Sequence, residues 1–392
     1  MYSLFRKKIA LTTLALATLI LPQTILASTV DLSSTDGFDR SCAALPSASI
    51  NLKNNQERQA FVICHDVALV QNIIRFVKNG ERRYQSEKPT DAEMNSLIRG
   101  QLSLVRDELR NVRLVLEKLK LKKDEGLLLA PAQWKKDLDG DGKLSTWEEN
   151  FFAIPKSGRH GLQFNMPHDD PDYYAKEYQM AAKIRVDQSD ILWSLSYHYF
   201  AESLLEIVLS YRLNNSTFNN ESIELQDATG MQRAAALLTK GFKTSEAMRL
   251  SVLAETDDQD EWIANPRQKN SVFPLPLDAQ DFQVWGGLLA HVIPLFEGKT
   301  LFAGNAKASG ILGSAAKLCP KNQGLSIPLF FSHPPRYPMA QMERLDLSGM
   351  CKTIDEKHPV SGLFAFIEVY ANQAQANDSG AMRFLRNLLW TN

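Results

Sequence analysis

A chain of 392 residues can bury one large core or two smaller ones. Its 44 Lys and Arg almost balance its 45 Asp and Glu. A near-neutral chain offers no electrostatic footprint for nucleic acid.

Arg6, Lys7 and Lys8 precede an apolar run from Ile9 to Leu21, followed by Pro22 and by Ala27-Ser28. A basic segment, a short apolar segment and small residues at a cleavage point make a secretory signal peptide, expected over residues 1–28. The apolar run, roughly 13 residues, is short for an ordinary membrane span. No later apolar run reads as long enough to cross a bilayer, so no membrane span is expected after cleavage. Loss of the three cations takes the net charge from −1 to −4. The leader looks bacterial, and the expected address is periplasmic or secreted. No Cys stands at the cleavage point, which argues against a lipoprotein anchor.

Cys42, Cys64, Cys319 and Cys351 remain. An even number behind a signal peptide points to two disulfides, and proximity in sequence favours Cys42–Cys64 and Cys319–Cys351. The chain has no C-x-x-C pair for zinc.

Residues 29–54, rich in Ser, Asp and Asn, read as an extended lead-in. Between Gln56 and Lys78 apolar residues recur at steps of three and four, the helical period, and Asn79-Gly80 reads as a stop. Thr90 and Glu93 form a capping box for a helix reaching about Leu119. Its stripe runs Met94, Ile98, Leu102, Val105, Leu109, Val112, Leu116, while Arg99, Arg106, Arg110 and Arg113 lie on other faces. The preceding helix is the expected antiparallel partner.

Asp137-Leu-Asp139-Gly-Asp141-Gly142-Lys143-Leu144-Ser145-Thr146-Trp147-Glu148 then resembles the twelve-residue EF-hand loop at every diagnostic position. Carboxylates stand at positions 1, 3 and 5, and Gly at 6 permits the sharp turn. Lys143 at 7 offers its backbone carbonyl, Ser145 at 9 a hydroxyl or a water, and Glu148 at 12 two oxygens. Calcium is a hard cation that takes six to eight oxygens. Carboxylates held this close repel one another without a cation between them. The expected metal ligands are Asp137, Asp139, Asp141, Lys143, Ser145 and Glu148, and the expected cofactor is Ca2+. The entering helix should span Pro131–Lys136 and the exiting helix should start near Ser145. Leu144, Trp147, Phe151 and Phe152 should pack the loop onto the body.

Residues 154–186 read as irregular. The run Asp169-Asp170-Pro171-Asp172 lacks the Gly and the closing Glu of a second loop. EF-hands usually work in pairs, so a solitary loop argues against a calmodulin-like switch. A long helix is expected from Ser189 to Arg212, apolar nearly all round, as in the middle of a bundle. Asp190, Ser194, His198, Glu202 and Glu206 form its polar seam. Helices are expected at 228–240 and 244–256, split by Gly241, and at 278–297. Residues 298–360 are rich in Gly and Pro, with a short strand expected at Ser326–Phe331. Terminal helices are expected at 361–374 and 379–390.

His198 and Glu202 stand at i and i+4, a spacing that can hold a metal or make an acid–base pair. The plainer reading is a hydrogen-bonded buried strip. H-E-x-x-H, G-x-S-x-G and a Walker loop are all missing. His333 and His358, each before Pro, read as turn residues. Asp257-Asp258-Gln259-Asp260-Glu261 reads as a solvated turn between helices, with a weaker cation site as its lesser reading.

Three stretches together resemble a group of secreted bacterial proteins with one EF-hand in a helical body. They are the loop 137–148, the Arg185-Val-Asp187-Gln-Ser-Asp190-Ile-Leu-Trp193 helix entry, and Phe282-Gln-Val-Trp285. The resemblance implies no activity. The expected fold is all-α: a multi-helix bundle with one EF-hand loop and a Pro/Gly-rich irregular region near the C-terminus. Residues 29–153 form an N-terminal helical region and 154–392 a C-terminal one, packed as one body. The expected function is calcium binding in a structural or interaction role. The alternatives are a secreted hydrolase with a site near His198/Glu202, and a calcium-dependent docking or adhesion module.

Overall fold

The computed structural model describes residues 30–122, 125–156, 169–213, 223–274, 277–303, 318–338 and 347–375. The chain is predominantly helical, as expected. The main helices are α1 (Thr35–Ala44), α2 (Asn55–Glu87) and α3 (Asp91–Leu116), followed by two short ones, α4 (Thr146–Glu149) and α5 (Pro171–Glu177). Then come α6 (Gln188–Ser210), α7 (Ala228–Ala254), α8 (Ala279–Phe296), α9 (Ile327–Ser332) and α10 (Leu363–Gln375). Strands are two or three residues long and pair antiparallel: Leu128–Leu129 (β1) with Ile184–Arg185 (β4), and Ile154–Pro155 (β2) with Tyr178–Gln179 (β3). Tyr211–Leu213 (β5) pairs with Ile223–Leu225 (β6), and Gln323–Leu325 (β7) with Cys351–Thr353 (β8).

Helix starts follow the side chains that satisfy the free N–H groups of a first turn. The Thr90–Glu93 capping box closes α3, and Asp187–Asp190 and Asp278–Asp281 do the same for α6 and α8. The lead-in is not extended throughout: Ser34 caps α1, and Phe38 buries against Trp134 with ring centroids 5.0 Å apart. Both expected disulfides are present, Cys42–Cys64 tying α1 to α2 and Cys319–Cys351 tying the start of β8 to the chain before β7.

Two glycines expected to break helices do not. The helix expected to stop at Asn79-Gly80 runs through to Glu87 and ends at Lys88 in the left-handed region. A Gly costs a helix interior about 1 kcal/mol, too little by itself to end this one. Gly241 lies inside a continuous α7, where a Cβ would stand 2.6 Å from the Phe200 ring. Its role is close approach. Ser196 Oγ donates to the Gly241 carbonyl and Ser203 Oγ to that of Ala234. These small residues let α6 and α7 form the most extensively packed pair, with α3 against the other side of α6.

The described parts of 154–186 are more ordered than expected. Asp170 caps α5 with Pro171 at its first turn, so part of the acidic run is a helix start. The strand expected at Ser326–Phe331 lies earlier, at β7, and Pro328 sits in the first turn of α9. The helix expected at 379–390 lies outside the described residues. Over an 18-residue window of mean hydropathy 1.5, α2 is long and apolar enough to cross a bilayer by length and composition. In the structure it packs against α1 and α3. The main core gathers Phe61 from α2, Val112 and Leu116 from α3, Ile191 and Tyr199 from α6, Leu32 from the chain before α1 and Trp134 from the chain before the loop.

Candidate metal centre

The segment 137–148 folds as a tight acidic loop. Gly140 and Gly142 hold φ of 77° and 80°, in the left-handed region that favours glycine. The Asp137 carboxylate accepts from the amides of Gly140 (2.7 Å) and Gly142 (3.0 Å). Asp139 accepts from the amide of Asp141 (3.1 Å), and Asp141 from that of Lys143 (2.8 Å). One carboxylate oxygen from each of Asp137, Asp139 and Asp141 lies within 4.8 Å of the others.

Glu148 does different work in the same loop. Its side chain is 2% exposed. Oε1 accepts from the amides of Leu138 (2.8 Å) and Asp139 (3.2 Å), and Oε2 from the amide (2.9 Å) and hydroxyl (2.7 Å) of Ser145. It therefore ties the beginning of the loop to its end and completes the capping box of α4.

The flanking elements are shorter than an EF-hand's. The entering helix expected at Pro131–Lys136 is a single 3-10 turn, Pro131–Gln133, and the exiting α4 is one turn long. Leu144, expected to pack the loop onto the body, is 41% exposed, and Leu138 is fully buried in its place. Trp147, Phe151 and Phe152 stack edge to face, and Phe152 reaches Trp134 at 5.8 Å, as the aromatic spacing suggested.

Helix α2 supplies residues that sequence reading missed. Gln71 Nε2 (3.2 Å) and Arg75 Nη2 (3.0 Å) donate to the Asp137 carbonyl. Lys78 pairs with Asp139. Its ammonium pKa is raised, chiefly by that hydrogen bond, and the Asp139 carboxyl is correspondingly lowered. Residues 71, 75 and 78 share one helical face. That stripe was the available signal, and nothing local says what it faces.

The seam of α6 is a buried ionic strip. His198 is 7% exposed, with Nδ1 2.8 Å from the Ser194 carbonyl and Nε2 3.0 Å from Asp66 Oδ1. Burial pulls its pKa down, but the Asp66 charge and the two hydrogen bonds outweigh that and raise it. Glu202 accepts from Arg113 Nε (2.5 Å) and Arg110 Nε (2.9 Å). Glu206 accepts from Arg110 Nη2 (2.6 Å) and Arg233 Nη2 (2.8 Å). Both His198 nitrogens are engaged, and each glutamate faces guanidinium groups from α3. His333 is exposed and His358 sits beside Asp355 in a turn.

A second acidic group gathers Asp187, Glu255 and Glu261, again with oxygens within 4.8 Å. Of the run Asp257–Glu261, expected to be a solvated turn, Glu261 is buried. Asp258 accepts from the amides of Lys269 and Asn270. Burial, with the Asp187 charge next, pushes Glu255 up to about 9, and burial pushes Glu261 up to about 7.

Comparison with family models, curated proteins and solved structures finds no match. The candidate site therefore rests on its own geometry.

Proposed function

We propose that the chain binds one calcium ion in the loop Asp137–Glu148, as part of a secreted or periplasmic helical protein, and that the ion has a structural role. The observation that carries this reading is the convergence of Asp137, Asp139 and Asp141 oxygens within 4.8 Å. Glycines at positions 4 and 6 of the loop turn the chain round that point. The donor set fits a hard cation: Asp137, Asp139, Asp141 and Glu148 offer carboxylates, Ser145 a hydroxyl or a bridged water, and Lys143 its carbonyl. No sulfur or imidazole is present to favour zinc or copper. When bound, calcium supplies charge compensation to the carboxylates.

The residues around the loop set what binding would do. Gln71, Arg75 and Lys78 fasten one side of the loop to α2. Glu148 closes the loop on itself, and the Trp147–Phe151–Phe152 group fastens the other side to the body through Phe152 on Trp134. One-turn flanking helices leave little to swing open, whereas sensor EF-hands work by reorienting long helix pairs. Calcium in this loop locks a junction between α2 and the chain that leads to α6.

A hydrolase at His198/Glu202 is the weaker reading. His198 is already engaged by Asp66 and Glu202 by Arg110 and Arg113, and the recess that Asp66 and Ser194 line is mainly apolar. Thermal unfolding tests the structural role. Calcium at a hundredfold excess over Kd adds about 2.7 kcal/mol to a state that alone binds it, so calcium should raise the melting midpoint and a chelator should reverse the rise. An unchanged midpoint in Asp139→Ala is expected, and an equal rise in that variant would count against the loop.

A further inference from the structure

Between α2 and α6 lies a partly open recess of about 260 Å³. Its walls include Val67 and Leu129, and the indoles of Trp134, Trp193 and Trp262. A dry apolar cavity of about 150 Å³ is enough to take up benzene, so this one admits a larger guest. Ligand pockets are mostly apolar with few polar groups.

The polar groups in the wall are largely committed within the protein. Gln59 donates to the carbonyls of Asn55 (3.1 Å) and Glu125 (3.2 Å) and accepts from the amide of Leu127 (3.0 Å). The Trp134 indole N–H donates to the Leu32 carbonyl at 2.7 Å. Asp66 holds His198, and Asp190 caps the amide of Asp187 at 3.1 Å. Burial, reinforced by the Asp187 charge, raises the Asp190 carboxyl well above the usual range, towards its uncharged form. The Trp262 N–H is the exception, without an acceptor, but it is shielded from solvent. A water needs two to four polar partners, and this wall offers few.

We propose that the recess is a binding site for one uncharged, apolar small molecule, of fused-ring aromatic or short hydrocarbon type, held by the indoles and aliphatic side chains. This is independent of the calcium reading, because the two sites share no ligating residue.

The probe is N-phenyl-1-naphthylamine, an uncharged dye that brightens in apolar surroundings, titrated into the full chain with naphthalene as competitor. The expected result is saturation at one dye per chain and displacement by naphthalene. Val67→Phe and Ser194→Phe fill the recess from different helices. Whichever keeps the wild-type helical circular dichroism should weaken the dye by about tenfold or more, roughly 1.4 kcal/mol. Ile63→Ala enlarges the recess and should bind the dye at least as tightly as wild type. Brightening that never saturates, a folded filling variant that binds as wild type does, or weakened binding in Ile63→Ala overturns the proposal.

Discussion

Glu148 Oε1 accepts the backbone N–H of Leu138 at 2.8 Å, closing the acidic loop on itself with a buried carboxylate. The same carboxylate takes the Ser145 amide and hydroxyl. Glu148→Ala strips the acceptor from the buried Leu138 amide, and a buried donor left unsatisfied costs about 1–3 kcal/mol. This variant should melt below wild type even in chelator. Glu148→Gln keeps one acceptor oxygen and should fall between. Equal midpoints for Glu148→Ala and wild type in chelator would exclude a loop-closing role for Glu148.

Lys78 competes with a cation for Asp139. Its ammonium already sits on that carboxylate, and Glu148 and Asp141 also act on it. Lys78→Met should therefore tighten calcium binding, by up to about tenfold, or about 1.4 kcal/mol. Weaker calcium binding in Lys78→Met would mean that Lys78 organises the loop more than it competes there.

The raised pKa of His198 sets a sign for pH. A group held above its unfolded value stabilises fully below that value, about 6.5, and the stabilisation fades as pH rises through the folded value. His198→Ala should cost more at pH 6 than at pH 9 while leaving helix content intact. A cost that grows with pH would contradict the Asp66 pairing.

Glu255 gives a pH dependence of the same sign, but as a penalty on its ionised form rather than a stabilisation of a charged one. Its carboxyl is pushed up to about 9, so between roughly pH 4.3, the ordinary Glu value, and that value the folded state binds more protons than the unfolded one. Stability should fall as pH rises through this window. Glu255→Gln removes the penalty, so it should flatten the slope and melt above wild type at pH 8. Identical pH slopes in the two proteins would exclude a burdened Glu255.

The parts of this architecture that could be read from residues are those set by local rules. The Thr90–Glu93 capping box, the apolar stripe of α3 and the nearest-neighbour cysteine pairings depend on spacing alone. The acidic loop was legible for the same reason, since its donors lie within twelve consecutive positions. The failures share one cause. Gly241 carries a local penalty of about 1 kcal/mol, and packing invisible in the sequence outweighs it where Phe200 lies against Gly241. Lys78 facing Asp139, and Glu255 beside Asp187, are tertiary encounters between segments far apart in the chain. The expected entering helix is reduced to one turn after Pro131, where Trp134 instead packs its indole on Phe38 and bonds the Leu32 carbonyl.

The decisive measurement is isothermal titration of the chelator-treated protein with calcium. One ion should bind per chain, with a dissociation constant at or below the roughly 10⁻⁴–10⁻³ M range of extracellular modules. The heat should vanish in Asp137→Ala and in Asp141→Ala, and persist in Lys143→Ala, whose backbone carbonyl is unchanged. No heat in the wild-type protein up to several millimolar calcium, or undiminished heat in the Asp variants, would refute calcium binding by this loop.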